Sequence, residues 1–140
     1  MKTLLTLFVL LFSSSVVAET IILDCKCQKV YFYETNNYAK CFQGDNIIEI
    51  DLTHENIEFL DNNGKKLIKR ITENEGVIEV TAINSSQIEY VIAFNVSGKK
   101  DVLRINTINR YNGVKDEMTY LDGVHQIDTK SICKKTDALF

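Results

Sequence analysis

Along much of the chain, hydrophobic and polar residues alternate in short runs. In NIIEIDL, Ile48, Ile50 and Leu52 fall on one side and acidic residues on the other. The same period of two recurs in GVIEVTAI, SQIEYVIAFNV and DVLRINTIN. Because successive side chains of a β-strand point to opposite faces, this pattern predicts half-buried strands, each with one dry face and one solvated face.

The alternation also assigns an inward face to four other predicted strands. In DVLRINTIN, Arg104 and Asn106 fall on the face predicted to be solvated. The inward sets are Ile21, Leu23, Cys25 and Cys27; Ile78, Val80 and Ala82; Ile88, Tyr90, Ile92 and Phe94; and Leu103, Ile105 and Thr107.

Turn-forming residues separate these runs at intervals of about ten residues. They are THEN (53–56), DNNGKK (61–66), ENEG (73–76), NSS (84–86), VSGKK (96–100) and RYNG (110–113). Asn63-Gly64 and Asn112-Gly113 are dipeptides that favour two-residue hairpins. The chain has no proline that would interrupt strand pairing. It is therefore predicted to be all-β, a single-domain antiparallel meander of about 8–10 short strands.

A meander of this size has two edge strands that must be kept from pairing with other molecules. Closure into a small β-barrel, complete or nearly complete, achieves this and is the architecture we expect. A two-sheet β-sandwich is the alternative.

The first 18 residues have the pattern of a secretory signal peptide. One lysine precedes an apolar run from Leu4 to Phe12, and small residues end at Ala18. The run is shorter than the roughly 20 residues that a transmembrane helix needs. We therefore expect residues 1–18 to be removed on export. Residues 19–140 would remain as one periplasmic or extracellular domain without a transmembrane segment.

The cysteines of an exported chain are usually oxidised, and this chain has an even number: Cys25, Cys27, Cys41 and Cys133. Cys25 and Cys27 lie about 6.5 Å apart along one strand with parallel side chains, so they are not expected to bond to each other. We favour Cys27 with Cys41 and Cys25 with Cys133; the crossed pairing stays open. Either one brings the last segment beside the first strand, which favours closure.

A zinc site or a redox pair is the competing interpretation of these cysteines. A C-x-C pair with two distant single cysteines lacks the C-x-x-C spacing typical of both. We therefore predict two disulfides, no metal site and no cofactor.

Charge and catalytic motifs narrow the function further. Without residues 1–18 the chain has 15 basic and 19 acidic side chains, a formal charge of −4, and no basic stripe for nucleic acid. His54 and His125 adjoin turn residues without a metal-binding spacing, and no serine lies in G-x-S-x-G. We predict no catalytic residue and a non-enzymatic protein.

One group of turns forms a candidate contact rim. If successive turns alternate between the two ends of a meander, DNNGKK, NSS and RYNG share one end. Asparagine is also a common turn former. The residues of this rim that could contact a sugar or a partner protein are Asn63, Asn84, Arg110, Tyr111 and Asn112.

These features together predict an exported binding or envelope-associated protein, whose partner is a protein or a small molecule. One alternative is an inhibitor that inserts a loop such as RYNG into a secreted or host enzyme. Another is a carrier that holds a small apolar ligand inside the barrel, against Ile50, Tyr90, Phe94 and Ile105. Lipocalin-like proteins and periplasmic lysozyme inhibitors share this outline, but the chain has neither the tryptophan of the lipocalin signature nor a diagnostic inhibitor loop.

Overall fold

The computed structural model describes residues 19–66, 76–96 and 100–136. The predicted signal peptide lies outside these ranges, as does most of the ENEG and VSGKK turns. Over the described ranges, no helix is long and apolar enough to cross a membrane. The regular elements there are the strands β1 (Thr20–Phe32), β2 (Asn37–Ala39), β3 (Asn46–Asp51), β4 (Asn56–Leu60), β5 (Val77–Ile83), β6 (Gln87–Val96), β7 (Lys100–Asn109), β8 (Val114–Leu121) and β9 (Val124–Lys135).

The strands form one antiparallel sheet in the order β4-β3-β1-β9-β8-β7-β6-β5, with β2 paired to β1. The sheet curls into a nearly closed barrel with one unsealed seam. The all-β meander and the nearly closed barrel are thus confirmed. The seam lies between β4 and β5, which are neighbours in space but share no backbone ladder in the described part of the chain.

The first and last strands lie side by side within this sheet. Their pairing runs from Leu23 opposite Lys135 to Phe32 opposite Ile127. The opening of the barrel therefore falls in the middle of the chain, while the first and last strands are each paired on both sides.

Both disulfides are anchored on β1. Cys25 is bonded to Cys133, its direct partner on β9, across a sequence separation of 108 residues. Cys27 is bonded to Cys41 across 14 residues, and this bond closes the hairpin of β1 and β2. This is the pairing that we favoured from the sequence. Two disulfides indicate an oxidising, exported environment.

One half of the barrel interior is a conventional apolar core. Ile48 and Ile50 of β3 are fully buried there, with Ile88 of β6 almost so. The predicted inward faces of β1, β3 and β6 are confirmed. On β5 a bulge follows Val80, so Ile83, opposite Ile88, packs at the inward position instead of Ala82.

The other half of the interior is polar and corrects the prediction for β7. The buried side chains of that strand include Val102, Asn106 and Ile108, whereas Leu103, predicted to face inward, is 37% exposed. The register decides this, because Ile108 pairs with the buried Ile88 of β6. On β8 the buried side chains are all polar: Lys115, Glu117 and Thr119.

The two-residue hairpin of this sheet is Asp122-Gly123, which sequence analysis did not identify. Both residues have positive φ, 48° and 81°, as in a type I′ turn. They connect Leu121 to its direct partner Val124. A D-G dipeptide between two strands was the sequence signal for it.

The two-residue hairpins predicted at Asn63-Gly64 and Asn112-Gly113 are wrong. Both dipeptides lie in longer connections, and in each pair the glycine alone has positive φ. The cause is a preceding side chain. Asp61 Oδ1 accepts hydrogen bonds from the backbone N–H groups two and four residues ahead, and Asn109 Oδ1 from those two and three residues ahead. Such bonds stabilise a wider turn.

Candidate functional site

The predicted contact rim is partly assembled. The turns that contain Asn84 and Arg110 meet at one end of the barrel, where the Arg110 guanidinium donates a hydrogen bond to Asn84 O at 2.7 Å and Arg110 N–H donates to Ser86 O at 2.8 Å. Tyr111 and Asn112 belong to the same turn. Four of the five predicted rim residues therefore share one end.

Asn63 does not belong to this rim. Its turn follows β4 at the opposite end of the barrel, as the antiparallel pairing from β4 through β3 and β1 to β9 requires. The THEN turn lies at the rim instead. Counting turns places them at the correct end of the barrel only if exactly one strand separates each turn from the next. This condition fails between β4 and β5, because β4 stops and β5 starts at the same end of the barrel.

The rim asparagines are occupied by turn formation. Asn84 Oδ1 accepts hydrogen bonds from the N–H groups of Ser86 and Gln87, both at 2.9 Å. Asn112 Oδ1 accepts one from Val114 N–H at 2.9 Å. Tyr111, with 79% of its surface exposed, is open to solvent.

A second surface collects aromatic side chains that the sequence analysis missed. It contains Tyr31 and Tyr33 from the β1 end, Tyr38 from β2, Tyr120 from β8 and His125 from β9, which we call the aromatic belt. From Tyr38 through Tyr31, Tyr33 and His125 to Tyr120, successive ring centroids are 5.2, 5.0, 4.4 and 4.9 Å apart. The rings form a continuous chain across three strands and the β2 hairpin.

Local pairing explains parts of the belt. Tyr31 lies directly opposite Tyr38 in the β1–β2 hairpin, and Tyr120 lies opposite His125 in the β8–β9 hairpin. Cross-strand aromatic pairs of this kind stabilise a sheet. The two halves meet only because β1 pairs with β9, where Tyr33 N–H donates to Gln126 O at 3.0 Å. The run YFYE was the only local signal.

A single carboxylate holds the centre of the belt. Tyr33 Oη donates a hydrogen bond to Asp128 Oδ2, and His125 Nε2 lies 2.6 Å from Asp128 Oδ1. The hydrogen bond to Asp128 raises the pKa of Tyr33 to about 12, because it favours the protonated phenol and the carboxylate charge opposes a phenolate. Tyr33 and His125 are thereby oriented together.

An open groove of about 500 Å³ lies beside the belt, and we call it the tyrosine groove. Its wall includes Tyr31, Tyr33 and Tyr38, and its edge carries side chains of both positive and negative charge. Lys29 Nζ lies 5.3 Å from the Tyr38 ring centroid, and Lys130 Nζ lies 3.6 Å from Asp116 Oδ1. The groove therefore offers aromatic faces beside exposed charged groups.

The contact between His125 and Asp128 is the kind of arrangement an acid–base enzyme could use. Here the ring of His125 lies between Tyr33 and Tyr120, its side chain is 28% exposed, and Nε2 contacts Asp128. We interpret this pair as a support for the tyrosines.

No group of three or more histidine, cysteine, aspartate and glutamate side chains that could hold a metal ion occurs within residues 19–66, 76–96 and 100–136. Comparison of the chain with protein-family models, with curated proteins and with solved structures finds no match. The function is therefore inferred from the geometry of the molecule.

We expect Asp128→Asn to lower the pKa of Tyr33 from about 12 toward its ordinary value of 10. Near-ultraviolet absorbance during alkaline titration should show that one tyrosine ionises at a lower pH in the variant than in the wild type. Because the folded-state pKa is the raised one, the stabilising contribution of this bond is complete below pH 10 and disappears as the pH rises through about 12.

Tyr33→Phe is the matched control, since it deletes the same ionisation instead of shifting it. The buried Tyr90, whose pKa burial raises well above the usual value, provides a second late step common to all three proteins. If wild type and Asp128→Asn have superimposable titration curves, the Tyr33–Asp128 bond does not form in solution.

Proposed function

We propose that this chain is an exported, non-enzymatic binding protein that holds a partner protein in the tyrosine groove, in the periplasm or outside the cell. The observation that carries the proposal is the chain of tyrosine rings fixed around Asp128 beside an open groove of about 500 Å³. Tyrosine is enriched at protein interfaces because it offers a large contact area at a low cost in side-chain entropy.

The groove is rigid before a partner arrives. Tyr33 is held by Asp128, and the Tyr31 hydroxyl donates to Asn36 Oδ1 at 3.2 Å. The Cys27–Cys41 disulfide closes the hairpin that carries these rings. Because fewer groups must be ordered on association, a preorganised surface binds at a lower entropic cost.

The same hairpin exposes aromatic surface at the groove, where Tyr38 is 66% exposed. Phe42, which follows the hairpin, is 59% exposed and stacks on Phe32 with ring centroids 5.5 Å apart. Exposed aromatic surface of this kind, bordered by charged residues, is typical of protein interaction sites.

The charges around the groove favour a protein over a polyanion. Lys29 and Lys130 are accompanied by Asp116 and Asp128, so a phosphate backbone would meet carboxylates at the same surface. A protein surface that presents charges of both signs can match this arrangement.

The apolar-carrier alternative receives less support. Ile50 and Tyr90 are fully buried and both pack within the apolar core cluster. Ile105 alternates with the buried Asn106 and therefore belongs to the outer face of β7. Three of the four side chains proposed to contact a ligand thus do not line an apolar internal cavity together.

Enzyme inhibition is a narrower form of the same proposal, and one observation favours it. Residues 28–40 form a disulfide-closed hairpin that presents the exposed Tyr38 at the tyrosine groove. The RYNG turn lies at the end of the barrel opposite this hairpin, away from the tyrosine groove. If the protein is an inhibitor that binds through the groove, we expect this hairpin, not RYNG, to enter the enzyme.

The test compares Tyr38→Ala with Tyr111→Ala, which removes another largely exposed tyrosine from the opposite end of the barrel. Each protein is immobilised with its disulfides intact, and exported proteins from the source cells are passed over it. We expect a partner retained by wild type and by Tyr111→Ala to bind Tyr38→Ala at least about thirtyfold more weakly, as for an interface hot spot of about 2 kcal/mol.

Circular dichroism and thermal unfolding should show that neither substitution changes the fold, since both side chains are largely exposed. Equal retention by Tyr38→Ala and wild type would refute the groove as the binding site. Loss confined to Tyr111→Ala would transfer the site to the rim. Inhibition of a panel of secreted hydrolases, lost in Tyr38→Ala, would support the narrower form.

A further inference from the structure

A patch of polar side chains lines the inner wall of the barrel. Tyr90 of β6 pairs with Asn106 of β7, which pairs with Glu117 of β8. In the neighbouring row, Arg104 of β7 pairs with Thr119 of β8. Directly paired residues have Cβ atoms about 4.5–5.5 Å apart. These five side chains therefore form one contiguous surface, the inner polar patch.

Most of this patch is deeply buried. Tyr90 and Asn106 are fully buried, and Thr119 is 2% exposed. Among the described residues, none offers a hydrogen-bond partner to Tyr90 Oη, to either amide atom of Asn106, to Thr119 Oγ1 or to Arg104 Nε. Buried polar groups are nearly always hydrogen-bonded, because leaving them unpaired is costly. Four neighbouring side chains with unpaired atoms indicate a surface that receives a polar ligand.

The charges within the barrel favour an anion. Glu117 Oε1 accepts a hydrogen bond from Gln43 Nε2 at 3.3 Å, and Lys115 Nζ donates one to Asn46 Oδ1 at 3.3 Å. Arg104 has only a long contact, 3.5 Å from Nη2 to Gln43 Oε1. Burial lowers the pKa of Lys115, which disfavours its charged form, so Arg104 is the principal cation of this region.

The unpaired groups are mainly hydrogen-bond donors. Within this patch the donors are the guanidinium N–H of Arg104, the amide N–H₂ of Asn106 and the hydroxyls of Tyr90 and Thr119, and the one unpaired atom that can only accept is Asn106 Oδ1. Burial raises the pKa of Tyr90 well above its usual value, so this hydroxyl keeps the proton it would donate. Convergent donors around a cation are the chemistry of anion binding.

Arg104 links the patch to the outside. Its Cζ atom lies 5.4 Å from the ring centroid of Phe94, and Phe94 lines an open cleft of about 570 Å³ together with Val77 and Val102. This cleft lies at the end of the barrel opposite the predicted rim. A small ion could enter there beside Phe94.

We propose that the inner polar patch binds a small monovalent anion of the size of formate, held by Arg104, Asn106, Tyr90 and Thr119. This site is independent of the partner site in the tyrosine groove.

The test measures thermal unfolding of the full, oxidised protein in sodium formate against sodium fluoride at equal ionic strength. We expect formate to raise the wild-type Tm saturably, by about 5 °C at ten times the dissociation constant. In Thr119→Val and Asn106→Leu, which replace donors by apolar groups of similar size, we expect this formate-specific shift to be lost.

Two variants keep the test decisive if one of them does not fold. Both are expected to fold, since they remove unpaired polar atoms from the interior. A formate shift of the same size in wild type and in a folded variant would be a general salt effect and would overturn the proposal. Equal Tm values in formate and fluoride for wild type would overturn it as well.

Discussion

Replacing Cys25 and Cys133 together with alanine should destabilise the protein more than replacing Cys27 and Cys41. In the chain-entropy model, a cross-link over 108 residues removes more freedom from the unfolded chain than one over 14. The expected losses are about 4 to 5 kcal/mol and about 3 kcal/mol, respectively. Denaturant unfolding of the oxidised proteins measures both.

The two double variants are matched because each removes one disulfide and leaves the other. Non-reducing peptide mapping of the wild type comes first and should recover Cys25 with Cys133 and Cys27 with Cys41. Recovery of the crossed pairs would contradict the structure. Equal losses of stability in the two variants would contradict the assignment of the longer bond as the principal cross-link.

Gly113→Ala should cost about 3 kcal/mol of unfolding free energy, a large effect for one methyl group. Gly113 has φ +73°, a conformation that residues with a Cβ rarely adopt. An added Cβ would also lie far inside van der Waals contact with the carbonyl oxygen of Cys133. The carbonyl oxygen belongs to the backbone and cannot rotate away as a side chain could. The turn and the end of β9 would therefore have to separate, although Cys133 N–H donates a hydrogen bond to Gly113 O at 2.8 Å.

Gly123→Ala is the matched control. Its φ is +81°, but an added Cβ would meet no atom within 4 Å. We expect it to cost only about 1 kcal/mol, the price of the positive φ. Thermal unfolding of both variants separates conformational strain from the steric contact. If the two losses are equal, the turn before β8 does not pack against Cys133 as the structure shows.

The tyrosine groove shows how far a candidate site can be predicted from a sequence. Tyr31 lies on β1 and Tyr33 directly follows the strand, and their spacing of two residues alone could have suggested an aromatic face. Nothing local relates them to His125 or Asp128, which lie on the last strand. The belt exists because β1 pairs with β9, and that pairing is a long-range contact.

The sequence by itself determined the strands, the apolar inward faces of β1, β3 and β6, and two disulfides on one strand. These depend on local properties: a period of two, turn-forming residues, and the direction of neighbouring side chains. The tertiary structure decided which face of β7 is buried, where the seam lies and which turns share an end. Asn106 faces inward because its neighbour Ile108 must meet Ile88 across the ladder. A strand with mixed faces takes its orientation from the register of its partners, since a shift of one residue exchanges its two faces.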